Sequence, residues 1–330
     1  MRLFICGSFT SFQTAQYSQS QLMKRFSDNK KYLRSFPQNQ HSIYFEDLIS
    51  EAVARLLFLD YYNHNNDAPS VIHKVVWNGT ITPPQGAPSG SDAIACCYGF
   101  HLLIEPTMKT GANQMTQEFA PALRHCTQYC RQHNLTQNEV FSVLICPDIY
   151  IDTYNSIKHN HPNNFFVVPI TVSHLEKILQ TTILAFTIRH IEIKRLLLKI
   201  SENLVYSTSL DNYIERVNTQ INNWQAEILK IEKNHFIAVK SYEAIKKIGG
   251  NVVGMSQIIK LLYRHPIVNQ YCNIIEEKIT PNIIENSLTE LKLACSSKTY
   301  TNNETFFEPV PFRDFESRNL RFIDYIKNIQ

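Results

Sequence analysis

Two short apolar runs separated by one glycine constrain the middle of this chain more than any other feature. Residues 93–98 and 100–104 are mostly apolar, and Gly99 stands between them. This pattern predicts a β-hairpin of buried strands. A carboxylate bounds each run, because Asp92 precedes the first and Glu105 follows the second. Two neighbouring strands are therefore expected to present both acids at one end of the hairpin.

A helix with an acid and a histidine follows the hairpin. The pattern predicts this helix over about residues 117–133, with Glu118 near its start, where the helix dipole favours a carboxylate. His125 comes seven positions later, which is two turns along the same helix face. This spacing predicts that His125 lies near the acids, where it would bind a phosphate, bind a metal-bound water, or tune Glu118.

The segment directly after Glu105 adds two more candidates. Side chains alternate along an extended segment, so residues 105, 107 and 109 share one face. The Thr107 carbonyl is then a candidate ligand, and the Lys109 ammonium reaches the same site. Pro106 has no N–H, which predicts an edge position or a β-bulge.

Several carboxylates in one site require a counter-charge, because burying an unpaired carboxylate costs several kcal/mol or forces its protonation. Mg²⁺ supplies that charge, since its preferred ligands are hard oxygen atoms. The predicted metal ligands are Asp92, Glu105, Glu118 and the carbonyl of Thr107. The catalytic candidates are Asp92, Glu105, Glu118, His125 and Lys109.

The remaining pattern predicts an α/β fold. Buried strands at 140–146 and 165–172 alternate with helices near 150–160 and from Ser173, which is predicted to cap its helix; this order indicates a mixed sheet covered by helices. From residue 181 onward the periodicity is helical, with a long helix over 209–249 broken near Asn234 and a loop over 296–311. We therefore predict an N-terminal helical region (1–70), a core (71–180) and a helical region (181–330).

Composition excludes several classes of protein. Neither a Walker-type nor a dinucleotide-binding glycine motif occurs, and the chain has only 9 glycines. No run of about 18 apolar residues and no secretory signal is present, and the 8 cysteines are scattered. These features predict a cytoplasmic protein with reduced thiols and no membrane partner.

The acid-bearing stretch 61–172 holds 5 Lys/Arg against 7 Asp/Glu, whereas 173–250 holds 11 against 8. This distribution suits an acidic centre beside a polyanion, or is ordinary variation.

Four of these residues carry a resemblance to a known family. Asp92 in GSD, Glu105 in HLLIEPT, Glu118 in QEFAP and His125 in LRH resemble the metal site of the PD-(D/E)XK nucleases, in the FokI-like branch of type II restriction and nicking endonucleases. The resemblance covers roughly residues 85–175, and the overall layout is similar to that of HindIII. Thr107 stands where the motif has lysine, and Lys109 is a candidate substitute.

The resemblance implies a Mg²⁺-dependent type II site-specific endonuclease that cuts double-stranded DNA to leave 5′-phosphates. It further implies a restriction-endonuclease-like core, a homodimer on DNA, and a cognate DNA methyltransferase, with recognition and dimerisation in 181–330. One alternative is a non-specific or strand-nicking nuclease of defence or repair, in which case a heterodimer is also open. Another is a catalytically inactive DNA-binding relative, which the missing motif lysine keeps open.

Two competing motifs are weaker. Glu192-Ile193-Lys194 also fits E-x-K, but its apolar neighbours follow a helical period. Cys126, Cys130 and His133 form C-x₃-C-x₂-H, yet no second ligand pair lies at zinc spacing. Helical cysteines are more often small core residues, and we expect that role here.

Overall fold

The chain forms two compact units. The computed structural model describes residues 24–25, 28, 33–34, 37–57, 74–77, 91–97, 100–136, 139–160, 166–184, 190–290, 294–298 and 305–309. The first unit comprises residues 1–183 and 187–221, and the second comprises residues 184–186 and 222–330. The predicted functional division at residues 70 and 180 stays a prediction.

A five-stranded mixed sheet forms the centre of the first unit. The strands lie in chain order: β1 (Lys74–Trp77), β2 (Ala93–Cys97), β3 (Phe100–Pro106), β4 (Val140–Cys146) and β5 (Phe166–Thr171). The first three are antiparallel, and β3, β4 and β5 are parallel. The predicted α/β class with a mixed sheet is confirmed.

Helices cover this sheet. In chain order they are α1 (His41–Leu57), a turn at Ala112–Gln114, a π-helical turn at Met115–Phe119, α2 (Ala120–His133), α3 (Ile151–Asn160), α4 (Val172–Leu184), α5 (His190–Tyr206) and α6 (Leu210–Ile231). Helix α1 packs against β2 and β3, α2 against β4 and β5, and α5 against β5. Helix α6 contributes residues to both units.

Burial explains why the strands were recognisable in the sequence. All seven residues of β4 are buried, as expected for an interior strand of a covered parallel pairing. Leu103 of β3 and Val140 of β4 form a buried cluster with Cys126 and Cys130 of α2. These two cysteines therefore serve as small core residues between the helix and the sheet.

The second unit combines helices with a small sheet. Its elements are α7 (Lys233–Ile248), β6 (Val253–Gly254), α8 (Met255–Leu262), α9 (Pro266–Ile275), α10 (Pro281–Glu290), β7 (Ala294–Lys298) and β8 (Thr305–Pro309). The strands are antiparallel in the order β6-β8-β7. Helix α7 packs against α8 and α10, and the rings of Phe236 and Tyr271 stack with centroids 3.9 Å apart.

The prediction of a loop over 296–311 was wrong. Ser296 pairs with Phe307 across β7 and β8, and Gly254 of β6 pairs with Phe306. The segment ACSSK has no hydrophobic alternation, so its strand conformation depends on partners that are distant in the sequence. Helix α9 was also missed. The predicted break of the long helix near Asn234 is confirmed, since the helix is interrupted between Ile231 and Lys233.

Helix α4 begins with a reciprocal cap formed by a threonine and a histidine. The His174 N–H donates to Thr171 Oγ1 at 3.2 Å, and the Thr171 N–H donates to His174 Nδ1 at 3.2 Å. This is the geometry of a capping box, with histidine in the usual place of Glu or Gln. The predicted cap at Ser173 was wrong, because the sheet holds Thr171 directly before the first helical residue.

This cap makes stability depend on pH. Burial, with a smaller effect from the Lys177 charge, lowers the pKa of His174 from 6.5 to about 4. Between these values the unfolded chain binds a proton that the folded chain does not, so stability falls as pH falls from about 6.5 to 4. The loss reaches about 3 kcal/mol. His174→Gln, which keeps an acceptor, should remove most of this loss in urea titrations at pH 7, 5.5 and 4.5.

An exposed histidine on α3, His159, supplies the matched control through His159→Gln. An equal loss of stability in the wild type and in His174→Gln between pH 6.5 and 4.5 would contradict the capping role.

Within the described part of the chain, no helix combines the length and the apolar character needed to cross a bilayer.

Candidate active site

The register of the hairpin places two acids side by side. Ala93 of β2 pairs with Ile104 of β3, and this is the last pair of that ladder. In an antiparallel ladder the next residues along, Asp92 and Glu105, stand opposite each other. The two carboxylates are therefore neighbours at the end of β3, where the sequence pattern placed them.

The charges around Asp92 are strongly unfavourable for its ionised form. Burial, followed by the charges of Glu105, Glu46 and Glu118, raises the pKa of the Asp92 carboxyl from 3.8 to about 9. Three acids on three different elements thus act on a fourth. Sequence reasoning missed Glu46 on α1, because an acid beside Asp47 in an amphipathic helix has the pattern of a solvent-facing position.

His125 contacts Glu105. The distance from His125 Nδ1 to Glu105 Oε1 is 3.1 Å, and the two side chains are 10% and 9% exposed. With the carboxylate oxygen as acceptor, the ring nitrogen Nδ1 is assigned as the donor in this contact. The two-turn spacing correctly brought His125 to the site, but its partner is Glu105 rather than Glu118. The bond fixes the orientation of the Glu105 carboxylate.

Thr107 joins the end of β3 to β4 and to the loop that carries Lys109. Its N–H donates to the Ile145 carbonyl at 2.8 Å, which extends the pairing with β4. Its Oγ1 accepts the Lys109 N–H at 2.9 Å, and its side chain lies close enough to Glu118 to lower the pKa of that carboxyl. The hydroxyl at the position of the missing motif lysine therefore fixes the backbone at Lys109 and lies beside Glu118.

Glu118 lies farther from the helix start than predicted. The helical run begins at Ala112, and Glu118 sits in the π-helical turn rather than in the first turn. Burial raises the pKa of Glu118, the charge of Glu105 adds to the rise, and the Lys109 ammonium and the Thr107 hydrogen bond oppose it. The expected dipole stabilisation was wrong, since the dipole effect fades beyond the first turn. Single π-turns within helices frequently mark functional sites.

Pro106 does not lie on an edge strand. It is the last residue of β3, which has neighbours on both sides, and it pairs with Ile145 of β4. Because the Thr107 N–H points to β4, the Pro106 nitrogen faces the side where the β2 ladder has already ended. A missing N–H therefore costs no ladder bond there.

Gln114 fixes the loop that follows β3, and sequence reasoning did not find it. Its side chain is fully buried, and Nε2 donates to the carbonyls of Lys109 at 3.1 Å and Asp148 at 2.8 Å. Its Oε1 accepts the Tyr150 N–H at 2.8 Å. This amide ties the Lys109 loop to the loop after β4. A glutamine in a polar segment gives no sequence signal for such a role.

The donor set is compatible with Mg²⁺. Among the described residues, no three His, Cys, Asp or Glu side chains gather closely enough to hold a metal ion by themselves. Mg²⁺ does not require such a cage, because it commonly binds one or two carboxylates together with waters and substrate phosphates. The mutual repulsion that raises the pKa of Asp92 is relieved by a cation. The residues therefore fit this ion through Asp92 and Glu105.

The two competing motifs lie elsewhere. Glu192 and Lys194 are on helix α5, where Glu192 pairs with Arg195 at 3.4 Å, so no strand presents an E-x-K there. Cys126 and Cys130 belong to the apolar cluster below the sheet, and His133 is exposed. Both observations agree with the structural roles expected from the sequence.

Comparisons with known proteins give limited similarity. No protein-family model and no curated protein matches the chain. The crystal structure of the small subunit of a heterodimeric restriction endonuclease is similar, with a TM-score of 0.43 and 17% identity over 62% of this chain and 98% of that chain. This similarity is too low to assign a family.

The crowding of acids predicts an effect on stability in the absence of divalent cations. Between pH 3.8 and about 9 the folded protein holds a proton on Asp92 that the unfolded chain has released, so stability falls as pH rises. Asp92→Asn should raise the urea midpoint at pH 8 and flatten the decline between pH 5 and 8, both measured in EDTA. Asp152→Asn, at an exposed position on α3, is the control. A lower midpoint for Asp92→Asn at pH 8 would contradict the electrostatic account.

Proposed function

We propose that the chain is a metal-dependent endonuclease that hydrolyses phosphodiester bonds of double-stranded DNA. The main supporting observation is that Asp92 and Glu105 meet at the ends of paired strands, and that the following helix brings Glu118 and His125 to the same place. Such crowded carboxylates are costly in a purely structural role. A cluster with perturbed pKa values is typical of a functional site.

The proposed cofactor is Mg²⁺. Asp92 and Glu105 would hold the ion, with the Thr107 carbonyl as a further oxygen donor and Glu118 acting through a bound water or a second ion. When bound, the ion supplies neutralisation of phosphate charge and a lowered pKa for a coordinated water.

The other side chains orient the carboxylates and neutralise the charge of the phosphate. His125 donates from Nδ1 to Glu105 and so keeps that carboxylate in one orientation. The Thr107 side chain lies beside Glu118 and accepts the Lys109 N–H. The Lys109 ammonium, on an exposed side chain, is available to meet the charge of the scissile phosphate.

Within this class, we propose a type II restriction enzyme that leaves 5′-phosphates. Cutting both strands of a duplex usually needs two catalytic centres, so we propose a homodimer on DNA. A site-specific nuclease also requires protected host DNA, which implies a cognate DNA methyltransferase. One alternative is a non-specific or strand-nicking nuclease. The other is an inactive DNA-binding relative, and this second alternative is favoured by Thr107 in place of the motif lysine.

A digest of plasmid and phage DNA tests the proposal. Wild-type protein should give discrete fragments in Mg²⁺ and none in EDTA. Glu105→Gln removes a charge that the ion needs, so cleavage should fall about 100-fold or more. Fragments are resolved on gels, and their ends are mapped by sequencing to detect 5′-phosphates.

Glu215→Gln is the matched control, because Glu215 is an exposed glutamate on α6. A Mg²⁺-dependent smear would retain the nuclease and remove the restriction assignment. Binding without cleavage on several DNAs would favour the inactive relative, and cleavage that survives Glu105→Gln would place the active site elsewhere.

The substitute-lysine hypothesis gives a separate prediction. Lys109→Ala should lower kcat about 10- to 1000-fold with little change in KM, because charge stabilisation acts mainly in the transition state. Lys109→Arg should recover part of that loss, and Lys199→Ala removes the same charge from an exposed position on α5 as the control. Equal activity of Lys109→Ala and Lys199→Ala would exclude Lys109 from the chemistry.

A further inference from the structure

The order of elements in the second unit is that of a helix-turn-helix with an adjoining β-hairpin. Helices α8, α9 and α10 follow one another, and β7 and β8 then close an antiparallel sheet with β6. Helix α7 packs against both α8 and α10 and so forms the core of the unit. In helix-turn-helix proteins the second helix of the pair enters the major groove of DNA. Both α8-α9 and α9-α10 are consecutive pairs, and we take α9 and α10 as the pair because α10 directly precedes the hairpin of β7 and β8.

The turn between α9 and α10 is firmly held. Glu276 has a left-handed conformation with φ of 56°, and the Glu277 N–H donates to the Cys272 carbonyl at 3.2 Å. Lys233 Nζ donates to Glu277 Oε2 at 2.6 Å, and the Tyr263 hydroxyl donates to the Ile279 carbonyl at 3.0 Å. These bonds reach the turn from α7 and from the segment before α9, so they fix the direction in which α10 leaves it.

Helix α10 has one buried face and one polar exposed face. Ile284, Ser287 and Leu288 are buried in the unit. Asn282, Asn286 and Thr289 are exposed, and their spacing places them on one stripe of the helix. The stripe therefore carries amide groups and a threonine where a helix packed on another protein core would carry apolar side chains.

The exposed face of α10 also borders an open polar concavity. It has a volume of about 550 Å³ and is lined by Lys233, Asn234, Ile283, Asn286, Thr289 and Glu290. The Asn234 amide donates to Glu290 Oε2 at 3.3 Å, which orients that carboxylate. A polar, open surface of this kind suits a hydrated partner rather than an apolar ligand.

We infer that α10 is a DNA-recognition helix that reads base edges in the major groove through Asn282 and Asn286. An asparagine amide has the donor and acceptor pair that matches an adenine edge, and a threonine methyl can contact the methyl group of thymine. A helix of ordinary diameter fits the width of that groove. Lys278, exposed on the turn, lies where a phosphate contact would set the register.

The charge of this surface gives it little electrostatic affinity for DNA. Lys278 is accompanied by four acids, Glu276, Glu277, Glu285 and Glu290, so acidic side chains outnumber basic ones in this neighbourhood. Phosphate contacts dominate non-specific binding, and a surface that is poor in cations contributes little to it. The inference rests on the proposed function in that double-stranded DNA is the ligand.

The test is selection from a library of random-sequence duplexes with full-length protein carrying Glu105→Gln, in EDTA, so that no DNA is cut. A sequence motif should be enriched. Asn282→Ala and Asn286→Ala should each relax one or two positions of that motif, with the preference at those positions falling about 5- to 150-fold. Lys278→Ala should weaken binding to all duplexes alike and reduce the salt slope by about 1.

Asn223→Ala, at an exposed position on α6, is the matched control and should leave the motif unchanged. Equal thermal midpoints for all variants would show that folding is intact. An enriched motif that neither α10 variant alters, or duplex binding with no motif, overturns the inference even if the wild type cleaves DNA. A motif that depends on α10 in a wild type that cleaves nothing supports the inference and overturns the nuclease proposal. Failure to bind any duplex overturns the inference, whereas the digest in Mg²⁺ decides the nuclease proposal separately.

Discussion

The antiparallel register of β2 on β3 is the constraint on which the candidate site depends. One ladder sets Asp92 opposite Glu105, and the parallel pairing of β3 with β4 then places Thr107 at the end of the same strand. A slip of one residue would turn Glu105 away from α2 and from His125. The buried apolar side chains on both strands oppose such a slip, so the packing that stabilises the sheet also fixes the positions of the acids.

The site gathers more negative charge than the chain neutralises around it. Glu46, Glu105 and Glu118 all disfavour the ionised form of Asp92, whereas Lys109 acts mainly on Glu118. Clusters of ionisable groups with perturbed pKa values are typical of functional sites. The buried amide of Gln114 and the side chain of Thr107 contribute the opposite property, because they hold the surrounding loops in one arrangement.

The two units illustrate different degrees of predictability. The strands of the first unit were visible as apolar runs, because an interior strand buries both of its faces. Strands β7 and β8 were not visible, since Ser296 and Ser297 acquire their conformation from Phe306 and Phe307 across the ladder. Helix boundaries also differ from the predicted ones where a tertiary contact sets them. Helix α4, for example, is capped by Thr171, which the sheet holds in place.

The sequence by itself determined the mixed α/β fold, the hairpin between Asp92 and Glu105, and the helix that returns Glu118 and His125 to its end. Those features follow from local hydrophobic period and from strand alternation, which are properties of neighbouring residues. Only the tertiary structure decided that His125 binds Glu105, that Glu46 joins the acids, and that Gln114 ties two loops together. These contacts join residues that are far apart in the chain, and their distances depend on how helices and strands pack rather than on sequence spacing.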